Sequence, residues 1–378
     1  MPFEGAPGAA LEAFRAELRS WLGAHLTREV VTAGARPVDE ANLVILQTWN
    51  ATLVDGGWAA PSWPVEHGGR NASVAEQVVY LEEMNQARAP GVVNVIGVSN
   101  IAPAIMQFGT DEQKARFLEP MLRGVEIWSQ GMSEPDAGSD LAALRTSAVD
   151  HGDEFLVNGQ KTWNSMGHFA DWCQLYVRTD PTVRKHQGIT CFLVDLRTPG
   201  IEARPVKTIT GDHGFAELFL TDVRVPRSAM LGEQDKGWTV AMTTLSFERA
   251  GVARLHLMLA TKLADLLADP RARAGLRDTR LRQRVAGIHS DISCMRWLTE
   301  RGLADPTAYG GAGGSLSKLS WSAIEQDLGD LALDLVGMDG LSDRWAANVV
   351  SVRQASIAGG TTEINRNIVA EHVLGLPR

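Results

Sequence analysis

The spacing of apolar residues changes twice along this chain, and that double change restricts the fold more than any single motif does. Up to about residue 128 the pattern is helical: Leu11, Phe14, Leu18, Trp21 and Leu22 recur on one face. Thr110, followed by Asp111 and Glu112, reads as a capped helix start, with Phe117 and Leu118 opening the buried face. The Gly- and Pro-rich stretch GGWAAPSWPVEHGG (56–69) interrupts the periodicity. From about 129 to 232, short runs such as FLVDL (192–196) and ELFLTDVRV (217–225) alternate with DHGD (150–153), NG (158–159) and TPG (198–200). This texture predicts antiparallel strands joined by hairpins, with Asn158-Gly159 as a two-residue turn. After Gly237 the helical period returns: Trp238, Met242, Leu245, Val252, Leu255 and Leu259 predict one long helix, with more helices to about 373. The expected fold is α+β and multidomain: an N-terminal α-helical domain (1–128), a middle antiparallel β domain (129–232) and a C-terminal α-helical bundle (233–378).

Bulk properties narrow the function. A length of 378 residues calls for more than one core, and 44% hydrophobic with 21% charged residues is the balance of a globular protein. A net charge of −9 argues against a broad nucleic-acid footprint. Three scattered cysteines (Cys173, Cys191, Cys294), without CxxC or HExxH, point to a reducing compartment and away from a disulfide framework or a metal site. No segment approaches ~18 continuous apolar residues, so no membrane span is expected, and the cytoplasm is the expected location. GGAGG (310–314) follows no strand and is not GxGxxG; a loop or a glycine-tolerant helix junction is the better reading.

Three segments carry chemistry-bearing residues. In QGMSEPDAGSDL (130–141), small residues let a ligand approach the backbone, and Ser133 and Ser139 offer hydroxyls. GQKTWNSMGHFADW (159–172) contributes the Trp163 indole and the Ser165 hydroxyl, although a tryptophan in such a segment is more often core. ASIAGGTTEINRNIVAEH (355–372) runs a glycine loop into a helix start, whose free N–H groups and dipole suit an anion or cofactor.

SEPDAGSD, then NGQKTWNS, DVRVP (222–226), GWTVAMTTLSFER (237–249) and IAGGTTEINRNIVAEHVLGLPR (357–378) together resemble the acyl-CoA dehydrogenase family, bacterial members above all, over essentially the whole chain. The resemblance implies a flavoprotein that binds FAD and dehydrogenates an acyl-CoA thioester between its α and β carbons. It implies FAD contacts at Gln130, Met132, Ser133, Gly138 and Ser139, with Ser139 also on the substrate side. It implies a second flavin segment at Trp163, Asn164 and Ser165, and further cofactor contacts at Gln283, Gly337, Thr361 and Glu363. Ser246, Phe247 and Arg249 match positions on the CoA side, although Arg249 reads equally well as a structural ion-pair residue. Implied partners are an electron-transfer flavoprotein or equivalent acceptor and further subunits, in a homodimer, homotetramer or hetero-oligomer.

Two departures from the family pattern matter. Many relatives carry the catalytic glutamate in the late loop as Tyr-Glu-Gly-Thr; here the positions read Ala358, Gly359, Gly360, Thr361. The resemblance implies that the Gly359 backbone N–H still serves as a donor to the thioester carbonyl, and the lost side-chain bulk points to branched, cyclic or steroid-like acyl chains. The base is then expected on the third-domain helix. Leu245, Glu248, Val252, Leu255 and Leu259 share one helical face, so Glu248 falls on the stripe expected to be buried. LSFER resembles the placement of the base in isovaleryl-CoA and long-chain dehydrogenases. Second, the Arg-x-x-Phe-Gly motif that binds the FAD diphosphate is replaced by ADPRARAGLRDTRLRQR (268–284), where Arg271 or Arg273 could substitute. These departures leave three alternatives open: a hetero-oligomer subunit with an incomplete FAD site, a flavin oxidase or monooxygenase, and an acyl-CoA-binding scaffold.

Overall fold

The computed structural model describes residues 8–250, 254–305 and 308–377, with the side chains of 247–250, 310, 311 and 342 outside that description. Six helices come first: α1 (Gly8–His25), α2 (Arg28–Gly34), α3 (Glu40–Asp55), α4 (Val74–Gln86), α5 (Ala102–Phe108) and α6 (Asp111–Leu122). Seven strands follow: β1 (Trp128–Gly131), β2 (Ser147–Asp150), β3 (Glu154–Ser165), β4 (Trp172–Arg178), β5 (Ile189–Asp195), β6 (Ile201–Val206) and β7 (Phe215–Pro226). Helices α7 (Gly237–Ala250), α8 (Leu255–Ala268), α9 (Pro270–Gly275), α10 (Thr279–Ala304), α11 (Gly313–Val336), α12 (Arg344–Ser351) and α13 (Thr362–His372) complete the chain. The α, then β, then α order expected from periodicity is thus present. The segments expected to form one long helix are α7 and α8; Val252, between them, lies outside the described residues.

Internal contacts divide the chain into two units, one of Ala13–Gln77 and Ala87–Glu248, the other of Met1–Glu12, Val78–Gln86 and Arg249–Arg378. In the first, the sheet runs β1-β4-β2-β3-β7-β6, with β5 also paired to β4. Most pairs are antiparallel; β1–β4 is parallel, and a single parallel pair, Ser147 with Arg178, joins β2 to β4. Inward residues such as Phe155, Val157, Leu175, Phe192 and Leu218 form the sheet core. Phe117 of α6 meets Trp128 and Trp172 edge-on at 5.2 and 4.8 Å, fastening that helix to β1 and β4. Thr110 caps α6 in a reciprocal box with Gln113, whose amide also donates to the Ser228 and Met230 carbonyls. In the second unit, α11 is the central helix; Leu328, Leu331 and Leu335 meet Leu259 and Leu266 of α8 and Ile292 of α10.

One sequence expectation fails here. Asn158-Gly159 is not a hairpin turn but a register shift inside β3 against β7. The Asn158 amide is claimed by β7, donating to Asp222 at 3.0 Å and accepting from its N–H at 2.9 Å. Glycine is needed for close approach: a Cβ at Gly159 (φ 155°) would fall 2.7 Å from the Thr146 Cα. Gly159→Val is therefore expected to destabilise the protein by about 2 kcal/mol or more in denaturant unfolding, from strain and overpacking together.

Candidate active site

In the first unit, the segment after β1 is pinned by groups that period-2 reading assigns to the core. Lys161 has the same parity on β3 as Phe155 and Val157 and is fully buried. Its Nζ donates to Glu134 Oε1 at 2.8 Å and to the Met132 carbonyl at 3.1 Å. The Glu134 carboxylate also accepts from the Arg145 N–H at 2.6 Å and the Thr146 N–H at 2.9 Å. Burial opposes its ionisation, yet the Lys161 ammonium and these donors hold its carboxyl below the ordinary carboxylate range. Burial lowers the Lys161 pKa against the pull of Glu134. Two backbone bonds of 3.0 Å between Glu134 and Ala137 close a tight turn, and Thr162 N–H donates to the Ser133 carbonyl at 2.9 Å. Gly138 and Ser139 are exposed, and a Cβ added at Gly138 would meet nothing within 4 Å.

Directly after Thr162, the backbone turns left-handed. Trp163 has φ 59°, uncommon for a bulky residue, and its indole is 60% exposed, edge-on to Phe215 at 5.8 Å. The core placement usual for a tryptophan in such a segment does not apply. Asn164 is fully buried; its Nδ2 donates to the Gln130 carbonyl at 2.6 Å. Its Oδ1 and the Gln130 Nε2 are buried without a protein partner. The Ser165 carbonyl accepts from Ser129 Oγ at 3.0 Å. An exposed aromatic face, two orphaned polar atoms and an open glycine-serine turn thus lie on adjoining segments. This donor and acceptor set fits a flat heteroaromatic ligand such as a flavin.

Helix α7 starts against β5, where a Cβ at Gly237 would sit 2.8 Å from the Thr190 carbonyl carbon. Midway, buried Thr244 meets Gln174 Nε2 at 3.2 Å and Tyr176 OH at 3.3 Å on β4. Ser246 is exposed, its hydroxyl donating to the Thr243 carbonyl at 2.7 Å. The Glu248 backbone lies one turn beyond Thr244 in this anchored helix; the side chains of Phe247, Glu248 and Arg249 lie outside the described residues.

In the second unit, Gly359 (φ 67°) and Gly360 (φ 83°) turn the chain into α13. Thr361 Oγ1 caps the helix by accepting from Ile364 N–H at 3.2 Å. Buried Asn365 donates to the Gly360 and Thr361 carbonyls at 2.8 and 3.1 Å. Among the described residues no hydrogen bond engages the Gly359 N–H. Exposed Glu363 keeps its carboxyl below the ordinary range through its own N–H at the helix start and the Thr361 hydroxyl. Buried Lys318 of α11, its Nζ without a hydrogen-bond partner, adds a favourable charge to Glu363. At the other end of α11, Gly337 (φ 72°) closes the helix. There Arg284 pairs with Asp334, which places the exposed Gln283 at the same end.

Arg271 is already engaged. Its guanidinium binds Asp269 at 2.8 Å, Asp343 at 2.6 Å and the Asp339 carbonyl at 3.2 Å, and it holds the Asp269 carboxyl far below its usual range. Arg273 donates to the Leu267 carbonyl at 3.0 Å. The Arg271–Asp343 pair escaped sequence reading because it joins residues 72 positions apart. Lys161–Glu134 was equally overlooked, although a lysine at inward strand parity was its signal.

Comparison with known proteins fits this arrangement. The chain matches the acyl-CoA dehydrogenase N-terminal domain over residues 9–125, the middle domain over 129–223 and the C-terminal domain over 235–374. It belongs to the acyl-CoA dehydrogenase family, FAD-dependent oxidoreductases acting on a CH–CH bond of an acyl-CoA thioester. It is 38% identical over 380 residues to acyl-CoA dehydrogenase IpdE1 of Mycobacterium tuberculosis, covering 97% of this chain and 98% of that protein. Among solved structures it is similar to the Tcur3481–Tcur3483 steroid ACAD (30% identity, TM-score 0.86, covering 99% of both chains). It also resembles the ChsE4–ChsE5 complex of Mycobacterium tuberculosis (28% identity, TM-score 0.80, covering 100% of both).

With Arg271 committed to two carboxylates, Arg271→Gln is expected to lower the unfolding midpoint of apoprotein and FAD-loaded protein alike. A loss confined to the loaded protein would assign Arg271 to the cofactor instead.

Proposed function

We propose that this chain removes the α proton of its acyl-CoA substrate with Glu248 of α7, and holds FAD through the 130–139 and 163–165 segments and the 359–363 loop. The observation that carries this reading is the late loop: where many relatives hold a glutamate it has exposed Gly359, whose N–H has no hydrogen-bond partner among the described residues, and Glu363 serves its own helix start. The Gly359 N–H is suited to polarise the thioester carbonyl, which stabilises the enolate as the α proton leaves. Glu248 takes that proton from a helix anchored at Thr244. FAD, when bound, supplies acceptance of the hydride equivalent lost from the β carbon. Ser139, Ser246, Phe247 and Arg249 are assigned to the substrate side, and Gln130, Met132, Ser133, Gly138, Trp163, Asn164 and Ser165 to the cofactor. We assign the domain limits to 1–128, 129–232 and 233–378. An electron-transfer flavoprotein or equivalent, in the cytoplasm, is the proposed acceptor. A bulky, steroid-like acyl group suits the small Ala358 and Gly359, in keeping with a similar structure described as a steroid ACAD.

The cofactor residues of the second unit argue for a shared site. Thr361 and Glu363 lie by the Lys318 end of α11, and Gln283 and Gly337 by the other. From Lys318 to Gly337 a helix rises roughly 28 Å, which sets the two groups at opposite ends of α11. We assign the two groups to different FAD molecules, each site being completed by another chain. That chain is either a second copy or a sister protein, as in the two-protein assemblies ChsE4–ChsE5 and Tcur3481–Tcur3483. The Gln283 and Gly337 end is then this chain's contribution to its neighbour's cofactor.

Glu248→Gln is expected to keep FAD bound and to slow substrate-dependent flavin bleaching by roughly 10²–10⁴-fold, whereas Glu363→Gln retains bleaching. Retained turnover in Glu248→Gln would sink the assignment. On dilution or partner removal, FAD should be lost as the assembly dissociates; a monomer that keeps a full FAD complement would contradict the shared site.

A further inference from the structure

We infer that the buried Lys161–Glu134 pair is a positioning device for the cofactor: it fixes the backbone of the 132–134 segment and, through Thr162, the projecting Trp163. The inference rests on the assignment of those segments to FAD.

The connectivity supports more than a structural role. Among the described residues Lys161 Nζ has two hydrogen-bond partners, and both lie on the loop after β1: the Met132 carbonyl at 3.1 Å and Glu134 Oε1 at 2.8 Å. Glu134 is tied in turn to the start of β2 through the Arg145 and Thr146 N–H groups. The next residue on β3, Thr162, donates its N–H to Ser133, between those two loop partners. Trp163 then follows with its backbone already left-handed. The ammonium thus fixes the Met132–Ser133 peptide and the Glu134 side chain, the Thr162 N–H fixes the peptide after Ser133, and the same strand carries the exposed indole. Neither charged side chain reaches the surface, Lys161 being 0% and Glu134 8% exposed, so the pair positions the cofactor-facing groups from behind.

A buried ion pair is a poor device for stability alone. Two well-packed apolar residues of similar volume often replace such a pair at no cost, whereas removing one partner is strongly destabilising. This difference separates the two roles. A purely structural pair can be replaced by Glu134→Leu together with Lys161→Met without changing cofactor affinity. A positioning pair cannot, because the bonds to the Met132 carbonyl and to the Arg145 and Thr146 N–H groups are lost with it.

The test uses the full chain in its native assembly, stripped of FAD and titrated with FAD by flavin fluorescence; apoprotein melting is followed in parallel. The double variant leaves the Met132 carbonyl and the Arg145 and Thr146 N–H groups unpaired and is expected to melt lower as apoprotein. At a temperature where it stays folded it is expected to bind FAD at least tenfold more weakly, with a shifted visible flavin spectrum. Should that variant fail to fold, Glu134→Gln, nearly isosteric, is expected to weaken FAD at least threefold. Trp163→Ala, a direct probe of the segment, is expected to weaken FAD with apoprotein melting unchanged. FAD affinity within twofold of wild type in the pair variants, with Trp163→Ala weakened, would overturn the positioning role and leave the site assignment standing. Unchanged affinity in all of them would overturn both.

Discussion

The first unit depends on how the inner face of β3 accommodates a charge. Lys161 occupies an inward position where an unpaired ammonium would cost several kcal/mol, so its N–H groups need acceptors inside the protein. They find the Glu134 carboxylate and the Met132 carbonyl, and this pulls the segment after β1 against the end of β3. The same requirement keeps the Glu134–Ala137 turn closed, with Gly138 and Ser139 outside it. The register shift at Gly159 lies two residues before the lysine and the left-handed Trp163 two residues after it. Electrostatics, register and the projection of one aromatic ring are thus settled within five consecutive residues.

The glycines of the late loop have a matching logic. Losing a carboxylate-bearing side chain leaves the backbone donor in place, because a peptide N–H does not depend on what the Cα carries. Asn365 braces the loop from within by donating to successive carbonyls, and Thr361 caps the following helix. Glu363 serves the helix start, and the proposed assignment gives proton removal to α7, whose Thr244 anchor on β4 gives the helix a fixed bearing in the first unit.

The alternation of periodicities was readable because burial imposes a period of about 3.6 on helices and 2 on strands, and both were intact in α1, α6 and β7, whereas β5 was readable as a short continuous apolar run. The Thr110 cap was readable because it is local. Asn158-Gly159 misled because the dipeptide that makes hairpin turns also suits a bulge where another strand passes within a van der Waals radius. The engagement of Arg271 by Asp343 and of Lys161 by Glu134 could not be read directly, since sequence separation hides which charges meet. Trp163 was singled out through the family motif, but its exposure is a property of a backbone angle that composition does not reveal.

The central claim concerns which carboxylate takes the α proton, and proton exchange reads that step without any electron acceptor. An acyl-CoA thioester incubated with the FAD-loaded protein in deuterated water, and followed by mass spectrometry, should take up deuterium at the α carbon with the wild type and with Glu363→Gln, but not with Glu248→Gln. Exchange that persists in Glu248→Gln and disappears in Glu363→Gln would contradict the account and return the base to the late loop.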